Sequence, residues 1–253
     1  MSFIVPNSEP FFLPGGPTAC MLLHGFCAMP EEMRPLGEAL ASQGYSSLGM
    51  KLTGHATQPD DLKRTRWTDW LDDVEGGLAL LSNVSERCVL IGQSMGGMIA
   101  LNAAARFDVS AVVALSTPYG FTSHQHLVDR LRLLLHPTIH KPVKHFPPHH
   151  PLHHRCELDY PAYPEFPSRI IGELNQLASS LVTALPQVQV PALLIHSRDD
   201  HSVPFTCLQM IYDRLGSSQK EMLLLDGLDH SLVRDPQRQL VFDAITGFLA
   251  RQV

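Results

Sequence analysis

A long basic run is absent from this 253-residue sequence, and the formal net charge is −6. Proteins that bind nucleic acid gather lysine and arginine on one surface, so no nucleic-acid partner is predicted. No apolar run approaches the roughly 20 residues that span a bilayer, so no stable membrane insertion is expected. Residues 1–16 have neither a basic region nor a sustained apolar segment, and a secretory signal is not predicted.

Cysteine is also sparse, and internal repeats are absent. The five cysteines are odd in number and form no CxxC pair: Cys20, Cys27, Cys88, Cys156 and Cys207. This usage indicates reduced thiols in a cytoplasmic protein rather than a disulfide framework. Hydrophobic residues make up 44% of the chain and charged residues 17%, which is typical of a soluble globular enzyme.

Short apolar runs alternate along the chain with longer helical patterns. Most runs are apolar on both faces, as in a parallel sheet that is covered on each side. The predicted strands are 18–25, 45–50, 87–92, 111–116, 191–197 and 220–227, with a short edge strand at 10–13. The predicted helices lie near 31–43, 67–83, 95–106, 204–215 and 236–251. This alternation predicts a doubly wound α/β sheet with right-handed crossovers.

One interval breaks this alternation. Roughly seventy residues separate the strand that ends at Ser116 from the strand that starts near Ala192, whereas loops in α/β units have about 2–6 residues. Helical patterns occupy 124–135 and 168–185 of this interval. The first has an apolar stripe that fits a cap core or the lining of a ligand channel: Leu127, Leu131, Leu134 and Leu135. We therefore expect a core domain of residues 1–118 and 187–253 and a mostly helical cap of residues 119–186.

The middle of the interval is rich in histidine and proline. The pairs His149 with His153 and His150 with His154 have the i, i+4 spacing that can chelate zinc on a helix, and Cys156 follows them. The neighbouring prolines disfavour a continuous helix: Pro147, Pro148 and Pro151. An exposed cap segment without metal is therefore the favoured interpretation, with a structural metal site as the alternative.

A serine flanked by glycines marks the point where a predicted strand turns into a helix. In Gly92-Gln93-Ser94-Met95-Gly96, such a turn strains the central residue, and glycine two positions away on either side avoids a clash. The hydroxyl would then face outward at the positive end of a helix, as a nucleophile requires. The alternative is a serine that only caps the helix.

A serine nucleophile needs a base and an acid that orients the base. His230 follows the last predicted strand, and Asp199 and Asp200 follow the strand before it. Asp229 is adjacent to His230, but neighbouring side chains rarely point at one another. The chain order Ser, Asp, His is that of the triad in α/β-hydrolases.

Several further stretches complete the pattern: "LLHGF", "KLTGHATQPDDL", "WTDWLDDV", "SRDDHSVP" and "LDGLDHSLVRD". With "IGQSMGG" they make the sequence resemble α/β-hydrolases, in particular bacterial carboxylesterases and monoacylglycerol-lipase-like esterases. The resemblance implies an α/β-hydrolase fold with a mostly parallel sheet of about seven strands. It also implies Ser94 as nucleophile, His230 as base and Asp200 as acid, since the family's aspartate stands before two residues and a Val-Pro pair. Asp199 is the alternative acid.

The same resemblance assigns the rest of the site. Two backbone N–H groups should stabilise the oxyanion, those of Phe26 in the "HGF" loop and of Met95 after the nucleophile. His24 is expected to shape that loop through hydrogen bonds. Four residues are expected to line the substrate pocket: Phe26, Met95, Tyr119 and Val203.

The function expected from these residues is hydrolysis of carboxylic esters with short to medium acyl chains, through an acyl-enzyme on Ser94 and without a cofactor. Monoacylglycerol lipase and thioesterase activities use the same machinery and are alternatives. An alternative of another class is a ligand receptor of this fold that does not turn over. A small-molecule ester is the expected partner, and the protein is expected to be a monomer or a small homo-oligomer.

Overall fold

The structure is a computed structural model that describes residues 4–120, 137–141 and 162–253. Its strands are β1 (Phe11–Leu13), β2 (Thr18–Leu23), β3 (Ser46–Gly49), β4 (Arg87–Gln93), β5 (Ala111–Leu115), β6 (Thr138–His140), β7 (Glu165–Pro167), β8 (Ala192–Ser197) and β9 (Lys220–Leu225). Its α-helices are α1 (Arg34–Ser42), α2 (Trp67–Leu81), α3 (Met95–Ala104), α4 (Ile170–Ala184), α5 (Thr206–Arg214) and α6 (Arg238–Gln252).

Seven strands form one sheet in the order β1-β3-β2-β4-β5-β8-β9. Only β1 is antiparallel to its neighbour in this sheet, and the other pairings are parallel. This confirms the expected α/β-hydrolase sheet, with residues 11–13 as its edge strand. From β2 the chain moves outward to β3 and then returns to place β4 on the other side of β2. Ligands in open α/β sheets bind at the carboxyl ends of strands at such a reversal of order, which here lies between β2 and β4.

Two apolar layers cover the sheet, because successive strand residues point to opposite faces. On β4, Leu90 belongs to the layer that contains the buried faces of α2, α3, α4 and α5. Val89 and Ile91 belong to the opposite layer, which contains those of α1 and α6. The strands are therefore apolar on both faces, as the sequence indicated.

The interval between β5 and β8 is described in part. The helical pattern at 124–135 and the histidine-rich segment lie outside the described residues, so the extent of the cap stays a prediction. The pattern at 168–185 forms α4, whose apolar residues pack with α2 and α3 in the first layer. The strands β6 and β7 form an antiparallel pair that the sequence did not predict, and their length of three residues each explains why.

The thiols of Cys20, Cys27, Cys88 and Cys207 are free, while Cys156 lies outside the described residues. Burial raises the pKa of the Cys27 thiol to about 11, so this thiol next to the "HGF" loop is protonated at neutral pH. Among the described helices, none is long and apolar enough to cross a membrane.

Candidate active site

Ser94 lies in the sharp turn between β4 and α3. Its φ of 55° and ψ of −115° are unusual for a residue with a side chain. A Cβ added to Gly92 would overlap the carbonyl of Gly96, and one added to Gly96 would overlap the carbonyl of Leu23. The two glycines therefore allow β4, α3 and β2 to approach closely enough to form this turn.

The imidazole of His230 reaches Ser94 from the loop after β9. Its Nε2 lies 2.9 Å from the Ser94 Oγ, and its Nδ1 lies 2.7 Å from Oδ2 of Asp200. An ionised carboxylate only accepts hydrogen bonds, so Nδ1 carries the proton of the neutral ring. Nε2 is then free to accept the hydroxyl proton of Ser94, which is the arrangement of a general base.

The Asp200 carboxylate is fully buried and saturated with donors. Its Oδ1 accepts the N–H groups of Ser202 at 2.7 Å and Val203 at 2.9 Å. Its Oδ2 also lies 3.1 Å from Nε2 of a second buried histidine, His196. Burial by itself would raise the pKa of Asp200, but these hydrogen bonds and the proximity of His230 hold it well below its usual range. The acid therefore stays ionised.

The two other candidate carboxylates face elsewhere. Asp199 accepts the N–H of Gly227 at 2.6 Å and so ties the loop after β8 to the loop after β9. Asp229 faces His201, with 3.7 Å between Oδ1 and the His201 Nδ1. The structure thus brings Ser94, His230 and Asp200 together and leaves Asp199 and Asp229 outside the chain of hydrogen bonds.

The "HGF" loop after β2 lies against the nucleophile. A Cβ on Gly25 would lie 3.6 Å from the Cβ of Ser94. The Gly25 carbonyl accepts hydrogen bonds from the His24 ring at 2.9 Å and from the Ala28 N–H at 3.1 Å. Because a trans peptide is planar, the Phe26 N–H points in the opposite direction from that carbonyl.

His24 holds this peptide as a neutral ring. Its Nε2 accepts the N–H of Leu52 at 3.3 Å, so the proton is on Nδ1, which donates to the Gly25 carbonyl. Complete burial lowers the pKa of His24 to about 4, mainly because the charged ring would lose its hydration. The role expected for His24, loop shaping through hydrogen bonds, agrees with these contacts.

The N–H groups of Phe26 and Met95 are the expected oxyanion donors. Within residues 4–120, 137–141 and 162–253, neither N–H donates a hydrogen bond. Met95 is the first residue of α3, where the helix dipole favours a negative charge. Two N–H groups that have no acceptor among the described residues suit an oxygen that becomes an anion.

The residues expected to line the pocket differ in where their side chains lie. The Phe26 ring packs edge-on against Phe166, with 4.9 Å between centroids. Met95 is buried, and Val203 is 9% exposed. The Tyr119 ring lies 5.6 Å from the Arg214 guanidinium. Their contact with substrate stays a prediction.

Two residues at the site carried no recognisable signal in the sequence. His196 is a polar residue near the end of the largely apolar strand β8, and Glu32 is one of two adjacent glutamates in the turn Pro30–Met33 before α1. Both are almost completely buried, at 1% and 3% exposure. Only the tertiary structure shows that they contact the loops that carry Asp200, Phe26 and His230.

The part of the chain that the structure describes contains no cluster of three or more histidine, cysteine or acidic side chains placed to hold a metal ion. The histidine pairs His149/His153 and His150/His154, with Cys156, lie outside it. The absence of a metal requirement therefore stays a prediction.

Comparison with known proteins places the chain among lipases and esterases. A thermostable monoacylglycerol lipase from Bacillus sp. (strain H-257) is 27% identical over 98% of this chain and 96% of its own length. A carboxylesterase from Bacillus subtilis (strain 168) is 23% identical over 98% of each chain. A solved structure from work on LipS and LipT, two metagenome-derived lipolytic enzymes, superposes with a TM-score of 0.86 at 27% identity, covering 98% of this chain and 99% of that one.

The family model that matches the chain covers residues 17–237, from the start of β2 to the beginning of α6. It is described as Hydrolase_4, serine aminopeptidase S33. This match includes all the residues of the hydrogen-bonded chain around Ser94. The protein therefore belongs to the Hydrolase_4 family of α/β-hydrolases and is related to monoacylglycerol lipases and carboxylesterases.

Proposed function

We propose that the protein is a serine carboxylesterase that hydrolyses esters of short to medium acyl chains. The observation that carries the proposal is the continuous hydrogen-bonded chain from the Ser94 Oγ through His230 to Asp200, with distances of 2.9 and 2.7 Å. A serine hydroxyl is unreactive at neutral pH unless a base removes its proton, and this chain supplies the base and its orienting acid.

In the first half of the reaction, the Ser94 Oγ attacks the ester carbonyl carbon while His230 Nε2 takes the hydroxyl proton. The carbonyl oxygen becomes an oxyanion and accepts hydrogen bonds from the N–H groups of Phe26 and Met95. The bond to the alkoxy oxygen then breaks, and the imidazolium gives its proton to the leaving alcohol. Ser94 is left acylated.

In the second half, a water molecule gives its proton to His230 Nε2 and attacks the acyl carbon. The second oxyanion uses the same two N–H groups. When the bond to the Ser94 Oγ breaks, the proton returns to the serine and the carboxylic acid leaves. Asp200 stays ionised throughout and stabilises the imidazolium, consistent with the donors that surround it.

The acyl preference rests on where the insertion leaves the sheet. It follows β5, at the carboxyl edge where Ser94 lies, so we expect residues 119–186 to cover the site. The described end of the insertion contributes Phe166, whose ring contacts Phe26 beside the expected oxyanion donor. An aromatic wall and a cover both favour compact acyl groups over long or bulky ones.

Hydrolysis of monoacylglycerols is the second candidate. It is supported by the Bacillus sp. monoacylglycerol lipase, which matches this chain over almost its whole length. The chemistry at Ser94 would be the same, and only the fit of the acyl chain and of the glycerol would differ.

The test is a series of p-nitrophenyl esters of two to sixteen carbons, with a monoacylglycerol of each chain length measured in parallel. We expect kcat/KM to be highest below about ten carbons and to survive exhaustive chelation. Ser94→Ala and His230→Ala should each lower kcat by about 10⁴-fold or more, because triad members act as a unit.

Three outcomes would contradict parts of this proposal. An optimum on long-chain monoacylglycerols would favour the lipase candidate. Loss of activity on chelation would favour a metal site. A protein that binds esters without turnover, with a Ser94→Ala variant that binds equally well, would be a receptor rather than an enzyme.

A further inference from the structure

Glu32 is a buried carboxylate close to the site that the proposed mechanism does not use. It lies in the turn between the "HGF" loop and α1, and its side chain is almost completely removed from water. Burying a carboxylate is costly unless donors satisfy it, so the partners of such a group are informative.

One carboxylate oxygen of Glu32 binds the "HGF" loop, which is called the oxyanion loop from here on because it carries the expected oxyanion donor Phe26. Glu32 Oε2 accepts the N–H of Gly25 at 2.7 Å. Gly25 directly precedes Phe26, and a Cβ added to Gly25 would lie 3.6 Å from the Cβ of Ser94. Glu32 therefore fixes the N–H side of Gly25, while His24 fixes its carbonyl side. The two contacts together restrict rotation of the peptide that carries the Phe26 N–H.

The other oxygen holds the loop of the catalytic histidine. The Ser231 hydroxyl donates to Glu32 Oε1 at 3.1 Å across 199 positions of sequence. Ser231 directly follows His230, whose carbonyl is held from another side by the Gln93 amide at 2.7 Å. A single side chain thus connects two loops whose relative position the reaction depends on. We call the contacts of Gly25, Glu32 and Ser231 the Glu32 bridge.

We propose that Glu32 is a positioning residue that fixes the position of the oxyanion loop relative to the loop that carries His230. This inference rests on the proposed function and adds a residue to it. Glu32 does not touch the reacting atoms; it acts through Gly25 and Ser231. A displacement of about 1 Å between catalytic groups can cost on the order of 100-fold in rate, so such a bridge contributes mainly to kcat.

The chemistry of the bridge provides a conservative replacement. The Gly25 N–H and the Ser231 hydroxyl both donate to Glu32 in the native protein, but the Ser231 hydroxyl can also accept a hydrogen bond. A glutamine can accept the Gly25 N–H with its oxygen and donate its amide to Ser231. Glu32→Gln therefore keeps the bridge without the negative charge, whereas Glu32→Ala removes it.

The experiment compares Glu32→Ala, Ser231→Ala, the double variant and Glu32→Gln. Glu31→Gln is the matched control, because Glu31 pairs with Arg34 at 2.6 Å and is not part of the bridge. We expect kcat to fall on the order of 100-fold in Glu32→Ala and about 10-fold in Ser231→Ala, with KM changed less than about threefold. The double variant should match Glu32→Ala, and Glu32→Gln should retain kcat within about tenfold.

Labelling of Ser94 by an organophosphonate gives a readout that does not depend on the natural ester. The rate of Ser94 labelling should fall in parallel with kcat in the variants that lose the Glu32 bridge. Unchanged labelling and kcat in Ser231→Ala and Glu32→Ala, or a lowered Tm alone, would overturn the inference, as would losses that multiply in the double variant. If Glu32→Ala does not fold, the kcat and labelling rates of Ser231→Ala and Glu32→Gln test the inference. A wild-type protein that is neither labelled nor active would instead refute the proposed function, and the inference with it.

Discussion

Asp200 is bonded by two histidines, although only His230 also reaches Ser94. Both imidazoles approach the same oxygen, Oδ2, at 2.7 and 3.1 Å. The His196 Nε2 donates a hydrogen bond to the carbonyl of Val203 at 3.1 Å, because a carbonyl oxygen can only accept. His196 therefore lies between the acid and the chain segment that follows it.

The distinction between the adjacent aspartates can be tested directly. We expect Asp200→Asn to lower kcat by about 10⁴-fold, because an amide cannot hold the imidazole in the tautomer that leaves Nε2 free. Asp199→Asn is the matched control, since Asp199 accepts the backbone N–H of Gly227 in the neighbouring loop and does not contact His230. It should lower kcat less than about threefold. Steady-state kinetics of the two variants are the measurement, and equal losses would contradict the assignment of the acid to Asp200.

The turn from β4 into α3 depends on close packing of backbone rather than on side-chain contacts. Gly96 lies where α3 crosses the end of β2, against the carbonyls of Leu23 and His24. A side chain there would push the helix away from the strand that leads into the oxyanion loop. The turn that carries Ser94 and the loop that carries the Phe26 N–H would then move apart.

Gly96→Ala should therefore reduce the free energy of unfolding by about 3 kcal/mol or more, because the overlap is with backbone that cannot move aside. Gly76→Ala is the control, since a Cβ at this exposed position of α2 would meet no atom within 4 Å. That substitution should raise the free energy of unfolding by about 0.5–1 kcal/mol, because alanine is the better helix former. Urea unfolding of both variants measures the two effects. A Gly96→Ala protein of wild-type stability would show that the packing tolerates a methyl group.

Strands that are buried on both faces could be predicted from the sequence. The short strands β6 and β7 could not, for a physical reason. The strands β2, β4, β5 and β8 are mostly apolar runs, and their observed bounds differ from the expected ones by two residues or fewer. The pair β6 and β7 has three residues in each strand and is stabilised by contacts distant in sequence, such as that between Phe166 and Phe26. Local sequence patterns do not predict such contacts.

For the entire protein, the buried histidines link stability to pH. His24 and His55 are both fully buried, and burial lowers the pKa of each, to about 4 for His24 and well below 6.5 for His55. In the unfolded chain each ring titrates near 6.5. Between these values the unfolded state binds more protons than the native state. The stability that the two buried neutral rings contribute is therefore fully present above pH 6.5 and is lost as the pH falls toward 4.

We therefore expect the free energy of unfolding to fall between pH 7 and pH 4.5, with His24 alone contributing about 3 kcal/mol at most. His24→Gln should flatten this dependence. His201→Gln is the control, because the side chain of His201 is 42% exposed and not buried. Urea unfolding at a series of pH values gives the slopes, and identical slopes in His24→Gln and the wild type would contradict the role of burial.

The sequence by itself determined the fold class and the seven-stranded sheet, and it predicted Ser94 and His230 as two members of the candidate triad. These follow from local signals, namely apolar periodicity, glycines around a serine and polar residues at the ends of strands. For the acid, the residues alone left Asp199 and Asp200 open, and the resemblance favoured Asp200.

Only the tertiary structure decided which aspartate faces His230 and which buried polar groups support the site. His196 and Glu32 are ordinary residues in their own segments, and they matter because the fold brings them against loops from distant parts of the chain. A burial pattern predicts which face of an element lies inside the protein. It does not predict which donor a buried carboxylate meets there, because that depends on the packing of several elements at once.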